Sequence, residues 1–333
     1  MDAPSNPSGR EETLAGGLVS AVAKVGDTVR RSTGPWTPAV HALLRYLKAV
    51  GFDAAPRVLG IDERGREVLS YFRGDVPLRA TPEVVTDQAL YQVGGLLRSY
   101  HEAVSGFELP SGIDWFHEPV SGSRMVVCHN DLAPKNTVFR EGRPVAFLDW
   151  DLAAPAPPVW DLAHAAWQFV PLSDDRSCAS NGWTRPPDRP HRLRILCDGY
   201  GLPRADRIGF SGAVAERVEA TASGIERLAA EGVAAHERLI QEGVPALVRV
   251  DKAWVERHTG VLDTALVSQL LALGDGEAKA QRHEDATREP AAQDAGEGRA
   301  VPEPPSQGAR SERDGAQDDQ PHKGESEAET EHL

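Results

Sequence analysis

Only three of the 333 residues are cysteine (Cys128, Cys178 and Cys197), and no two of them form a CxxC pair. That scarcity argues against a disulfide framework or a thiolate zinc site. It suits a reducing compartment, where cysteines serve as small apolar fillers. No apolar run approaches the ~18 residues that a membrane-spanning helix needs. The opening residues MDAPSNPSGREE lack a basic-then-apolar leader pattern. Clustered Lys and Arg, the footprint of a nucleic-acid surface, are also missing. The expectation is a cytoplasmic protein with neither membrane nor nucleic-acid partners.

Acidity is plentiful but uneven. The formal net charge is −14, and residues 275–333 hold sixteen acids against seven bases, which is −9 of it. That segment has no Phe, Trp or Tyr, and its only large aliphatics are Val301 and Leu333. It cannot bury enough surface to offset its ordering entropy, so a disordered acidic tail is expected there.

The body reads as two textures. After a flexible stretch over 1–12, residues 13–74 give hairpin, helix, hairpin. A Gly26-Asp27 turn splits the first hairpin and Arg64-Gly65 the second, and TPAVHALLRYLKAVG between them sets Val40, Leu43, Leu44 and Leu47 at helical spacing. Residues 75–274 are mainly helical, starting with DQALYQVGGLLRSYHEAV and continuing through one long helix over 205–230 and further helix over 233–241 and 245–273. Short strands interrupt this lobe at 125–128, 137–139 and 145–148.

Between those strands lies the densest chemistry in the chain, VVCHNDLAPKNTVFREGRPVAFLDWDLAAP, residues 126–155. Burying acids beside such apolar flanks is costly unless a cation compensates. HNDLAPKN fits H-x-D-L-x-x-x-N, and Asp149 of LDWD follows Asn136 by thirteen residues. Phosphoryl transfer calls for this set: a carboxylate to orient the attacking hydroxyl and accept its proton, and hard oxygen ligands for a divalent cation on the phosphates. Asp131 is the candidate base, and Asn136 and Asp149 are candidate metal ligands. Asp151 reads equally as a second metal contact or a solvated neighbour.

The region resembles the aminoglycoside phosphotransferase and choline kinase group of small-molecule kinases, with His129, Asp131, Asn136, Asp149-Trp150-Asp151 and Asp161-Leu162-Ala163 in the matching order. The resemblance is strong over 125–170 and weaker over 13–74. It implies a two-lobed α+β kinase-like fold with a small antiparallel sheet lobe and a larger helical lobe. It also implies ATP and Mg²⁺ as cofactors and a hydroxyl of a small molecule as acceptor. In such a fold His129 and Asp161 support the loop, with Asp161 also capping a helix, and LSYF supplies the adenine hinge through Ser70, Tyr71 and Phe72. Gly16-Gly17 is the candidate phosphate loop. Ala133 stands where Ser/Thr protein kinases usually place a lysine, and only eleven residues separate Asp149 from Trp160, too few for an activation segment. Both features favour a small acceptor over a protein.

The chain also departs from the pattern. The strand DTVRRS puts Arg30 at the usual lysine position, with Arg31 one register step away, and the helix that should carry its glutamate partner offers Val40 or His41. A catalytically weak nucleotide-binding pseudokinase is therefore a competing reading, and a metal-dependent hydrolase is a more distant one. Glu216, Glu219 and Glu226 are placed to meet a cationic substrate, or else form a solvent face.

Overall fold

The computed structural model describes residues 11–14, 22–82, 84–108 and 111–287. The first lobe is a five-stranded antiparallel sheet. Its strands are β1 (Glu12–Leu14), β2 (Val22–Val25), β3 (Thr28–Arg31), β4 (Val58–Ile61) and β5 (Glu67–Ser70), in spatial order β1-β2-β3-β5-β4, with α1 (Thr37–Ala49) between β3 and β4. Gly26, with a left-handed φ of 60°, turns β2 into β3. The β3–β5 register sets Val29 opposite Leu69 and Arg31 opposite Glu67. Cross-strand partners share a face, so this register decides which arginine looks inward. Leu43, Leu44 and Leu47 of α1 are fully buried, as their spacing predicts.

The second lobe begins with α2 (Asp87–Val104), whose first turn is capped by Thr86 accepting from the Ala89 N–H at 3.2 Å. Then follow β6 (Val126–Cys128), a 3₁₀ turn over Pro134–Asn136, β7 (Thr137–Arg140), β8 (Arg143–Phe147) and β9 (Ala154–Ala156). β7 pairs with β8 and β6 with β9, both antiparallel. Helices complete the lobe: α3 (Pro158–Phe169), α4 (Asp175–Ser180), α5 (Arg189–Tyr200), α6 (Arg204–Arg207), α7 (Phe210–Ala230), α8 (Ala234–Gln241) and α9 (Val244–Thr287).

α2 and α5 approach through glycine. A Cβ on Gly199 would overlap the Tyr91 carbonyl, and one on Gly94 would overlap that of Leu196. Tyr100, Phe147, Trp150, Leu162, Phe169 and Leu196 are buried in one continuous core.

The single helix expected over 205–230 is two. Gly209 adopts a left-handed φ of 75° after the extended Ile208, which ends α6 and lets α7 restart at Phe210. β9 and α4 carry too few residues for a periodic signal. The last helix runs on past Gly274 to Thr287, and the rest of the segment expected as a tail lies outside the described residues.

Candidate active site

The loops from β6 to β7 and from β8 to β9 are each held in a conformation that ordinary residues avoid. Asn130 and Asp149 both have left-handed backbone, with φ of 65° and 62°. Such positions cost on the order of 1–3 kcal/mol unless their surroundings enforce them. For Asn130 three bonds do so: its N–H donates to Asp161 Oδ1 at 2.8 Å, its carbonyl accepts from Arg217 Nη2 at 2.7 Å, and its Nδ2 donates to the Leu152 carbonyl at 3.0 Å. The other Asp161 oxygen accepts the His129 N–H at 2.7 Å and lies 3.2 Å from His101 Nε2. Asp161 sits in the first turn of α3 and does not cap it. The N-cap is Pro157, with no side-chain cap bond, because the carboxylate is turned wholly toward the loop. His129 Nε2 donates to the Leu148 carbonyl at 2.9 Å and so ties the loop to the residue before Asp149. Burial outweighs the neighbouring carboxylates, which would raise it, and holds the His129 imidazole below its ordinary pKa, which favours the neutral form.

Asp131 faces the cleft. Its Oδ2 accepts from Asn136 Nδ2 at 2.7 Å and from Lys135 Nζ at 3.1 Å, while Oδ1 lies 3.6 Å from His164 Nε2. Burial alone would raise its pKa. The His164 imidazole and the Lys135 ammonium outweigh that and hold the carboxyl well below the usual range, so it is ionised at neutral pH. Asn136 spends its amide N–H groups on Asp131 (the backbone carbonyl is a second acceptor, at 2.8 Å), which leaves its amide oxygen available as a ligand.

Between Asp149 and Asp151 sits an arginine, and it is Arg31. Its Nη2 donates to Asp149 Oδ1 at 2.7 Å and to Asp151 Oδ2 at 2.6 Å, while Nη1 lies 3.7 Å from Glu67 Oε1. Glu67 in turn pairs with His41 Nε2 at 2.9 Å. Arg30, the residue first assigned to this position, points to the opposite face, where it bonds Thr28 Oγ1 at 2.5 Å and lies 3.7 Å from Asp62. The one-residue difference follows from strand alternation. Burial lowers the Arg31 pKa and the three acids more than reverse that, so the guanidinium is permanently charged. Asp151 is pushed up to about 6, first by burial, with Arg31 opposing and Asp149 reinforcing the rise.

Two cavities meet at this cluster. One, of about 310 Å³, lies against the sheet and is lined by Val29, Leu69, Ser70, Tyr71, Phe72 and Asn136 among others. The second, of about 300 Å³, lies toward α7 and α8 and has Asp131 and His164 in its wall. Arg31, Lys135 and Asp149 border both. The expected hinge residues thus line the first cavity, but the Tyr71 N–H already donates to the Asp27 carbonyl at 3.0 Å and is not free for a ligand. Gly16 and Gly17 lie outside the described residues.

Sequence reading assigned no role to Glu67, Lys135, His164 or Arg217. Lys135 could have been found, since it stands four residues after Asp131 in the loop motif itself. For Glu67 and Arg217 no local signal exists, because their partners are distant in sequence and adjacent only in the fold.

The chain belongs to the phosphotransferase enzyme family, whose family model matches residues 108–196. Among curated proteins it is similar to the trifolitoxin immunity protein of Rhizobium leguminosarum bv. trifolii, with 39% identity over 205 residues, covering 60% of this chain and 77% of that one. The fold is shared with an amicoumacin kinase complexed with AMP-PNP and Ca²⁺ (TM-score 0.54, 12% identity, 74% of this chain and 88% of that one). It is also shared with an aminoglycoside 2″-phosphotransferase bound to GDP and kanamycin (TM-score 0.53, 15% identity, 75% and 95%). Among the described residues no helix is long and apolar enough to cross a membrane.

Proposed function

We propose that this chain is an ATP- and Mg²⁺-dependent phosphotransferase acting on a hydroxyl of a small molecule in the cytoplasm. Residues 13–74 form its nucleotide lobe and 75–274 its catalytic lobe. The observation that carries the reading is the convergence of Asp131, Asn136 and Asp149 where the two cavities meet. The sheet-side cavity suits a nucleotide, with the backbone of Ser70 and Phe72 flanking a purine. The helix-side cavity suits an acceptor whose hydroxyl approaches Asp131.

The donor set fits a hard divalent cation. Asp149 and Asp151 offer carboxylate oxygens, Asn136 offers its amide oxygen, and no soft ligand intrudes. When bound, such a cation neutralises charge on the transferring phosphates. Asp131 orients the acceptor hydroxyl and takes its proton as transfer advances, and its low pKa keeps it ready in the ionised form. Lys135 and Arg31 supply fixed positive charge on the path of the phosphoryl group. Arg31 fills the usual lysine position, and Glu67 from the neighbouring strand, steadied by His41, fills that of the helix glutamate. Arg30 anchors the sheet's other face.

The 39% identical relative is named for immunity to a toxin, which supports an acceptor that is itself a toxin. One observation favours a second reading, a weak nucleotide-binding pseudokinase: Arg31 already satisfies both Asp149 and Asp151. Calorimetric titration with ATP separates the possibilities. The proposed enzyme binds ATP more tightly with Mg²⁺ than without, and Asp149→Asn abolishes that Mg²⁺ dependence. Binding indifferent to both Mg²⁺ and Asp149 would refute the metal assignment.

A further inference from the structure

The acids nearest the helix-side cavity decide what it can hold. A polycation such as an aminoglycoside needs several free carboxylates around its amines. Here the carboxylates in the cavity wall are Asp131, Asp149 and Asp151. All three stand at the phosphate end and are already engaged, Asp131 by Lys135 and Asn136 and the other two by Arg31. The acids of α7 are no substitute. Glu219 accepts from Arg249 at 3.0 Å and Glu226 from the same guanidinium at 2.6 Å, while Glu216 and Glu219 border a separate surface depression with Lys252. Asp251 is spent on the Trp167 indole N–H at 3.0 Å.

The far end of the cavity is apolar. Phe116, Trp167, Ile225, Leu239, Val244 and Val248 form its wall. Gln168, Thr221 and His236 add neutral polar groups. Burial first, with Arg227 adding to it, holds His236 below its ordinary pKa, and burial with Arg227 and Arg217 does the same for His117, which falls to about 4, so both imidazoles present neutral faces. In the same wall, Trp36 from the sheet lobe meets Phe116 edge to face, ring centroids 4.6 Å apart. α8 has no buried residue, yet Ala235 and Leu239 on it face the cavity. A helix that turns its apolar side to a cavity gains stability when an apolar body fills that space.

Building on the phosphotransferase reading, we propose that the acceptor is a hydroxyl compound with a mainly apolar body and at most one positive charge, held between α7, α8 and the Trp36–Phe116 pair. Its hydroxyl points to Asp131 and its apolar part covers Ile225 and Leu239. His164 is buried with neither ring nitrogen hydrogen-bonded, and it stands beside that hydroxyl position as a neutral partner. Polycations are excluded because every carboxylate in the wall is already engaged and the apolar end offers their amines none, not by size.

The test uses the full chain saturated with AMP-PNP and Mg²⁺ and three calorimetric probes: erythromycin, an end-capped Leu-Ser-Phe tripeptide, and kanamycin. At least one of the first two should bind at least about tenfold more tightly than kanamycin, a difference of roughly 1.4 kcal/mol. Leu239→Glu places a charge on a helix that buries nothing, so it should fold. It should weaken the apolar probe about tenfold or more and leave AMP-PNP affinity unchanged; Ile225→Glu should act in the same direction from α7. Kanamycin as the tightest probe, silence toward all three, or indifference to Leu239→Glu would each overturn the proposal. AMP-PNP binding is read in the same protein beforehand. If it fails, the phosphotransferase reading falls; if it holds while the probe order reverses, only the acceptor class falls.

Discussion

Replacing Arg31 with alanine removes the cation that sits between three acids. Side-chain exposure is 3% for Glu67, 14% for Asp151 and 38% for Asp149, so solvent can take over for Asp149 but scarcely for the other two. Breaking a buried ion pair from one side costs about 3–5 kcal/mol. The exposed share of Asp149 and the His41 contact that remains on Glu67 reduce this to about 2–4 kcal/mol. Arg30→Ala loses a 3.7 Å contact to Asp62 and bonds to Thr28 Oγ1 and the Val29 carbonyl, and leaves no acid stranded between its partners, so about 1 kcal/mol is expected. Urea unfolding followed by tryptophan fluorescence measures both variants. Mg²⁺ should restore more stability to Arg31→Ala than to wild type, because a divalent ion can stand in for the guanidinium between Asp149 and Asp151. Arg31→Lys keeps the charge but not the fork that reaches both carboxylates, so it should recover only part of the loss. Equal losses for Arg30→Ala and Arg31→Ala, or no added Mg²⁺ response, would refute the reasoning.

Gly199→Ala forces a Cβ onto the Tyr91 carbonyl, and α2 and α5 must separate; a loss of about 1–3 kcal/mol in the same unfolding assay is expected, against little change for Gly212→Ala, where nothing stands in the way. His164 is buried with its pKa pushed down to about 4, first by burial and then by Arg217. The unfolded chain therefore binds a proton between about pH 6.5 and 4 that the folded chain does not. Stability is fully present above that window and falls as pH drops through it, by up to on the order of 3 kcal/mol for this group. His164→Gln should flatten the slope of unfolding free energy against pH there, and an unchanged slope would show that His164 does not carry it.

The linear part of the site was legible because it is local. The loop motif from His129 to Asn136 and the Asp149-Trp150-Asp151 turn lie close together in sequence, and their residue types reflect the chemistry directly. The two-texture division into sheet and helices followed from hydrophobic periodicity. What could not be read was register and long-range pairing. Arg30 and Arg31 are indistinguishable by composition, and only the β3–β5 alignment turns Arg31 inward opposite Glu67. The helix position searched for a glutamate holds His41, whose partner comes from a different strand. Arg217 reaches the Asn130 carbonyl from α7, a contact set by helix packing alone. Gly209 could have been taken as a helix break; its neighbours had good helical spacing, and that pattern outweighed a single glycine.

The central claim is that Asp131 serves hydroxyl phosphorylation at a site built on Asn136 and Asp149. Its most direct test is transfer of labelled γ-phosphate from ATP by the purified full chain, scored against a broad hydroxyl panel and against water, for wild type and Asp131→Asn. Asp131→Asn keeps the shape and removes the proton acceptor, so turnover should fall by about 10²–10⁴ while ATP affinity stays the same. Transfer to no acceptor by a wild type that binds ATP and Mg²⁺, or undiminished turnover in Asp131→Asn, would contradict the account.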